Sequence, residues 1–278
     1  MSSRAEQRAH LAQVMVLVRR MSQVLNGSID RAGLHELRNN PEIRVSVALH
    51  RGGAMRPRDL QEAAGLTSGG LTKLLDRLEQ AGLVRRGARG TTSDGRAVEV
   101  RLTAAGRRAT ARLIHALDDG HVDSRPIAKE IVMLVEACGG GPSPSLEPCD
   151  ELIQCVARLG MMLAECVAGT PGTPTPIDIH SLMFLCYADL EGGCRPGAVI
   201  DLLDLSSGGA TKLLDRLEAE GLVHREYGAV DADRRAVVVT VTAEGRRVMH
   251  RALDRVAAHL DELWLVNHWL AEGVTVRP

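Results

Sequence analysis

Aromatic residues are almost missing from this 278-residue chain, which has two Trp, two Tyr and one Phe. Its core must therefore be built from Leu, Val, Ala, Met and Ile. Lysine is nearly as scarce: Lys73, Lys129 and Lys212 stand beside 31 arginines. Net charge is −1, so no global basic excess argues for nucleic acid, and local clustering has to decide. No apolar run approaches the ~18 residues that span a bilayer. The opening MSSRAEQRAH also lacks the apolar segment of a secretory signal. No membrane partner is expected, and the chain reads as cytoplasmic. The six cysteines form no CxxC pair, which removes the usual zinc and thioredoxin spacings. Ten scattered histidines show no ligand-like spacing, so neither metal nor cofactor is expected. Gly139–Gly141 runs into Pro142 without the GK[ST] of a phosphate loop. No nucleophile and base stand out together, and the chain does not read as an enzyme.

What is present is an internal repeat. Residues 66–108, LTSGGLTKLLDRLEQAGLVRRGARGTTSDGRAVEVRLTAAGRR, align without a gap on residues 205–247, LSSGGATKLLDRLEAEGLVHREYGAVDADRRAVVVTVTAEGRR. The offset is 139, half the chain, and 26 of the 43 positions are identical. Arg56-Pro57 and Arg195-Pro196 keep the same offset. Between the copies, GGGPSPSLEP (139–148) opposes helix propagation and favours an exposed connection. The sequence thus divides into a first unit, 1–138, a linker, 139–148, and a second unit, 149–278. Leu11, Val14, Met15, Val18, Met21 and Leu25 recur at helical spacing, as do Leu152, Val156, Leu159, Leu163 and Val167. Further helices are expected from Ala104 to about Leu117 and from Ala243 to about Leu270.

The repeated segment carries the chemistry. Thr67 and Ser206 suit the N-caps of helices whose buried stripes are Leu71, Leu74, Leu75, Leu78 and Ala210, Leu213, Leu214, Leu217. Gly82 ends the first of them. A short helix precedes each, Pro57–Ala64 and Pro196–Leu203, which is helix-turn-helix spacing. Leu83-Val84 and the alternating run Ala97–Leu102 flank a charged loop, and Ala236–Val241 repeats the pattern, so a β-hairpin wing follows each recognition helix.

These segments resemble the MarR family (multiple antibiotic resistance regulators): TKLLDRLEAEGLV, then DADRRAV and TAEGRR, match its recognition helix and wing. The close match covers about 43 residues of each copy, and the flanking helices follow the family layout more loosely. The resemblance implies an α+β fold, mainly α, with two winged helix-turn-helix units and a helical dimerisation-like region. It implies a transcriptional regulator, a repressor in the first instance, reading a pseudo-palindromic operator in double-stranded DNA as a single-chain pseudo-dimer. It also implies release by a small-molecule effector.

The expected DNA-facing residues are Ser68, Gly69, Thr72, Lys73 and Arg77 on the first recognition helix, and Ser207, Gly208, Thr211, Lys212 and Arg216 on the second. Threonine can meet a thymine methyl, lysine a guanine or phosphate, and glycine admits the backbone closely. Asp76 and Asp215 are expected to pair with neighbouring arginines. In the wings, Arg86, Arg89, Arg96, Arg234 and Arg235 suit phosphates or a narrow minor groove. The resemblance makes Asp231 the brace of Arg235. The first wing departs from it, with Thr92 and Gly95 where Asp231 and Arg234 stand. It is instead more basic: net +5 over 84–108 against +1 over 223–247. Two rivals stay open. One is a protein-interaction module in which DNA binding has decayed. The other is a redox-responsive regulator using Cys155 and Cys166, eleven residues apart on one helix face.

Overall fold

Seven of the eight residues from Leu11 to Val18 are apolar, and a helix so dressed has to be enclosed rather than laid on a surface. In the computed structural model all seven are buried. The structure describes residues 3–37, 40–64, 66–88, 98–146, 152–168, 170, 177–227 and 237–272. Along the first copy run α1 (Arg4–Arg31), a 3-10 turn (His35–Leu37), α2 (Asn40–Gly52), α3 (Pro57–Ala64), α4 (Ser68–Gln80), β1 (Val84–Ala88), β2 (Val98–Leu102) and α5 (Ala104–Ala137). The second copy has α6 (Leu152–Ala168), α7 (Ile179–Leu190), α8 (Pro196–Leu203), α9 (Ser207–Ala219), β3 (Val223–Tyr227), β4 (Val237–Val241) and α10 (Ala243–Val256). A 3-10 turn (Ala257–His259) then leads to α11 (Leu260–Glu272).

The class is α+β and mainly helical, with two antiparallel hairpins in the same register, Val84 opposite Leu102 and Val223 opposite Val241. Each hairpin gains a third partner that sequence reading did not foresee. Met55 bridges Val100 and Cys194 bridges Val239, so the segment entering each helix-turn-helix is tied to its own wing.

The chain forms two compact units whose limits differ from those of the repeat. One is built from Val24–Asp123 and Cys149–Arg158, so it holds α2 to α4 and the first hairpin. The other is built from Met1–Gln23, Ser124–Pro148 and Leu159–Gly273, and holds α7 to α11 with the second hairpin. In the latter unit the start of α1 is bound by specific bonds. Arg8 donates from Nε to Asp254 at 2.8 Å, and Arg4 reaches the same carboxylate at 2.7 Å. These hydrogen bonds, that of Arg8 foremost, hold the Asp254 carboxyl below its ordinary pKa. Arg19 is 7% exposed and donates to the Leu202 carbonyl at 2.7 Å, with Gln23 bonding the same carbonyl and that of Asp201. A cation here satisfies the bare carbonyls at the C-terminus of α8 and suits its dipole. The linker is docked rather than loose: Gly140 N–H bonds Val135 and Gly141 N–H bonds Asp261.

Two helix ends differ from expectation. The helix beginning at Ala104 does not stop near Leu117 but runs to Ala137 through Pro126. Proline costs little there, because the carbonyl it leaves unpaired belongs to Val122, a residue 57% exposed, where water can bond it. In the second copy the equivalent stretch breaks at Ala257–His259 into α10 and α11.

The TAAGRR and TAEGRR motifs prove to be structural junctions. Thr103 caps α5 by accepting from Gly106 N–H at 2.9 Å, and donates its hydroxyl to the Gly82 carbonyl at 2.6 Å. Thr242 repeats both bonds with Gly245 and Gly221. Gly82 and Gly221 take φ of 70° and 71°, which suits glycine at a helix end. A Cβ added to Gly106 would lie 1.9 Å from the Leu83 carbonyl oxygen, and one on Gly245 2.0 Å from that of Leu222. Since backbone must move to admit a methyl, Gly245→Ala should destabilise its unit by about 3 kcal/mol, at the upper end of overpacking costs. Urea unfolding of the variant beside Gly208→Ala, an exposed control, measures this; equal midpoints would show that the junction yields freely.

Candidate nucleic-acid interface

Each recognition helix is oriented by its buried leucines and started by a side-chain cap. In α4, Leu71, Leu74, Leu75 and Leu78 are buried, and Thr67 accepts from Gly70 N–H at 3.2 Å. In α9, Ala210, Leu213, Leu214 and Leu217 are buried, and Ser206 accepts from Gly209 N–H at 3.2 Å. Such caps contribute about 1 kcal/mol each.

The opposite faces divide into two zones. The C-terminal zone of each helix is committed to internal ion pairs. Asp76 pairs with Arg86, and Glu79 accepts from the Arg86 backbone N–H at 3.0 Å. Asp215 pairs with Arg225 at 2.7 Å, and Glu218 accepts from Arg225 N–H at 3.1 Å. The expected pairing of the two aspartates is therefore what the structure shows. It also gives Arg86, read from sequence as a wing contact, the work of fastening β1 to α4. Arg77 pairs with Glu42 on α2. Arg216 donates to Asp178 at 2.9 Å and to the Ser181 hydroxyl at 2.8 Å. Asp178 itself caps α7 through Ser181 N–H at 2.8 Å. Burial alone would raise the Asp178 pKa, but the bonds from Ser181 and Arg216 outweigh it and hold the carboxyl below its ordinary value. Sequence reading placed Arg77 and Arg216 towards DNA; their carboxylate partners lie 35 and 38 residues away and carry no local signal.

The N-terminal zone is open. Ser68, Gly69, Thr72 and Lys73 are exposed on α4, and Ser207, Gly208, Thr211 and Lys212 on α9. Thr72 and Thr211 donate their hydroxyls back to Ser68 and Ser207 carbonyls at 3.0 Å, which leaves the γ-methyl and the accepting oxygen for a partner. Nothing lies within 4 Å of a Cβ added to Gly69 or to Gly208, and neither has positive φ. Glycine inside a helix costs about 1 kcal/mol against alanine. No contact among the described residues calls for it at either position. Arg89, Arg96, Asp231, Arg234 and Arg235 lie outside the described residues.

The cysteines among the described residues are enclosed by the fold. Cys155, Cys166, Cys186 and Cys194 are buried and Cys138 is half-buried. Burial pushes the thiols of Cys138, Cys166 and Cys186 up, and that of Cys194 up to about 11. Oxidant sensing needs an accessible thiolate, and these environments oppose one. Maleimide treatment of the folded protein, followed by peptide mapping, should leave Cys155, Cys166 and Cys186 unmodified until denaturant is added. Rapid modification of Cys155 or Cys166 would reinstate the redox alternative.

Comparison with known proteins adds to this geometry. Residues 34–98 match the sequence profile of the MarR family. A MarR variant from E. coli, solved with operator DNA, is 21% identical; the similarity covers 44% of this chain and 86% of that one, with a TM-score of 0.35. NadR, solved with 4-hydroxyphenylacetate, is 24% identical over 42% of this chain and 80% of its own, with a TM-score of 0.32. A MarR family regulator from Silicibacter pomeroyi is 26% identical over 38% of this chain and 68% of its own, with a TM-score of 0.31. No curated protein matches the sequence. The family match spans α2, α3, α4 and the first wing strand, and the chain thus contains a MarR family domain at residues 34–98.

Proposed function

We propose that the protein is a sequence-specific DNA-binding transcriptional regulator that acts as a repressor. Its two recognition helices would read the two halves of a pseudo-palindromic operator. The observation that carries this is the pair Gly69 and Gly208. Both occupy exposed helical positions that no contact among the described residues explains, beside Thr72-Lys73 and Thr211-Lys212. A helix that must press its N-terminal turn against base edges has a use for a position without a side chain. The wing residues Arg89, Arg96, Arg234 and Arg235, with Asp231 bracing Arg235, would follow the phosphates and minor groove on either side. A small-molecule effector that releases DNA belongs to the same proposal, on the family match alone.

Membership of the two compact units supports a pseudo-dimer within one chain. Met1–Gln23, from the first copy, belongs with the second helix-turn-helix, and Cys149–Arg158, from the second copy, belongs with the first. One chain per operator is expected, with half-sites one duplex turn apart, about 34 Å. The mass of the complex with a minimal operator measures this, and two chains per operator would refute it.

Selection of bound fragments from random duplexes, followed by anisotropy titration, tests the reading itself. Lys73→Ala and Lys212→Ala should each weaken binding by roughly 1–3 kcal/mol if they read a base. Gly208→Ala should stabilise the fold by about 0.5–1 kcal/mol while weakening operator binding. A glycine variant that is more stable and binds equally well would remove the main support for this face.

A further inference from the structure

The two recognition helices carry the same charged residues in their C-terminal zone: Asp76, Arg77 and Glu79 in one, Asp215, Arg216 and Glu218 in the other. The acids that face Arg77 and Arg216 are not the same. At the repeat offset of 139, Asp178 corresponds to Asn39 and Ser181 corresponds to Glu42. In the second copy the arginine is held by the carboxylate that caps α7, with the Ser181 hydroxyl beside it. In the first copy the carboxylate sits three positions on, in the first turn of α2, where Glu42 is 3% exposed and pairs with Arg77. The acid has changed place between the copies, and each copy keeps one on its arginine.

A carboxylate as buried as Glu42 is costly to keep without a cation. An arginine meant only for phosphate would need no such partner, and a neutral residue at both positions would leave it freer to reach out. From this exchange of position with conservation of the pair, we infer that Glu42 and Asp178 are positioning residues for recognition, acting through Arg77 and Arg216. Each pair ties its recognition helix to the start of another helix, α4 to the first turn of α2 and α9 to the cap of α7, and so limits its rotation. The Gly-x-x-Thr-Lys face is thereby held at one angle. This rests on the DNA-binding reading for its purpose, but the positioning itself does not require DNA to be seen.

The exchange supplies its own test. Asp178→Asn keeps a competent N-cap and removes the charge. Asp178→Asn combined with Ser181→Glu reproduces in the second copy the pair of residues, Asn39 and Glu42, that the first copy uses. Both variants are compared with the unsubstituted chain at a temperature where circular dichroism shows all three fully folded. Amide hydrogen exchange over 207–219 should quicken by about tenfold in Asp178→Asn, the factor expected for a charged hydrogen bond lost at a half-buried site. Exchange over 68–80 should stay unchanged. Operator affinity should fall by about tenfold with an unaltered salt slope, since no phosphate contact is lost. In the double variant both quantities should return to within about twofold of the starting chain.

Failure of the relocated carboxylate to restore either quantity would overturn the inference, as would an Asp178→Asn variant that exchanges and binds like the parent. A shallower salt slope for Arg216→Ala would assign that arginine to phosphate instead. If the unsubstituted chain binds no duplex, the DNA reading fails, and the exchange measurement alone decides whether the pairs position the helices.

Discussion

Each winged helix depends on the contact of one glycine with one carbonyl. The last strand of the wing must return to the spot where the recognition helix ended. It does so by laying the first turn of the following helix directly on the exiting backbone. The approach leaves no space for a side chain at Gly106 or Gly245, and the threonine three residues earlier closes the joint by bonding both segments. Aromatic residues are few, and Phe184, fully buried on α7, belongs to the second copy alone. Short polar joints between backbones, repeated in both copies, therefore add to the orientation that the buried leucines set.

Behind that joint the charges of each recognition helix are largely spent on the protein itself. Asp, Arg and Glu of the DRLE segment each have an intramolecular partner, in the wing strand or in the helix behind. What is left outward is small and uniform: serine, glycine, threonine and one lysine per helix. A net charge near zero is therefore no argument against a nucleic-acid surface here, because most of the charge in this region is internally balanced.

Local features were legible in the sequence and distant ones were not. Pro57, Pro196, Thr67 and Ser206 mark helix starts by the chemistry of single residues, and the structure begins α3, α8, α4 and α9 at those marks. The leucine stripes are buried where periodicity put them. The end of α5 was not legible: the helix expected to stop near Leu117 runs on to Ala137, through Pro126. The bridges of Met55 and Cys194 to the wings, the acids facing Arg77 and Arg216, and the packing of α1 on α8 join residues far apart in the chain. No periodicity or motif encodes such partners. The repeat, the strongest signal in the sequence, marks two copies that meet at 139–148, and the limits of the compact units follow contacts that it does not encode.

The docked linker also has a consequence for dosage. Separate subunits must first find each other, so the supply of a paired reader falls with the square of protein level when copies are few. Here the two winged helices come from a single polypeptide, with Gly140 and Gly141 bonded to the folded body at the junction. Their ratio is one to one at any dilution, and the local concentration of one for the other is set by the chain rather than by expression. A cell holding a handful of these molecules holds the same number of covalently joined pairs of winged helices.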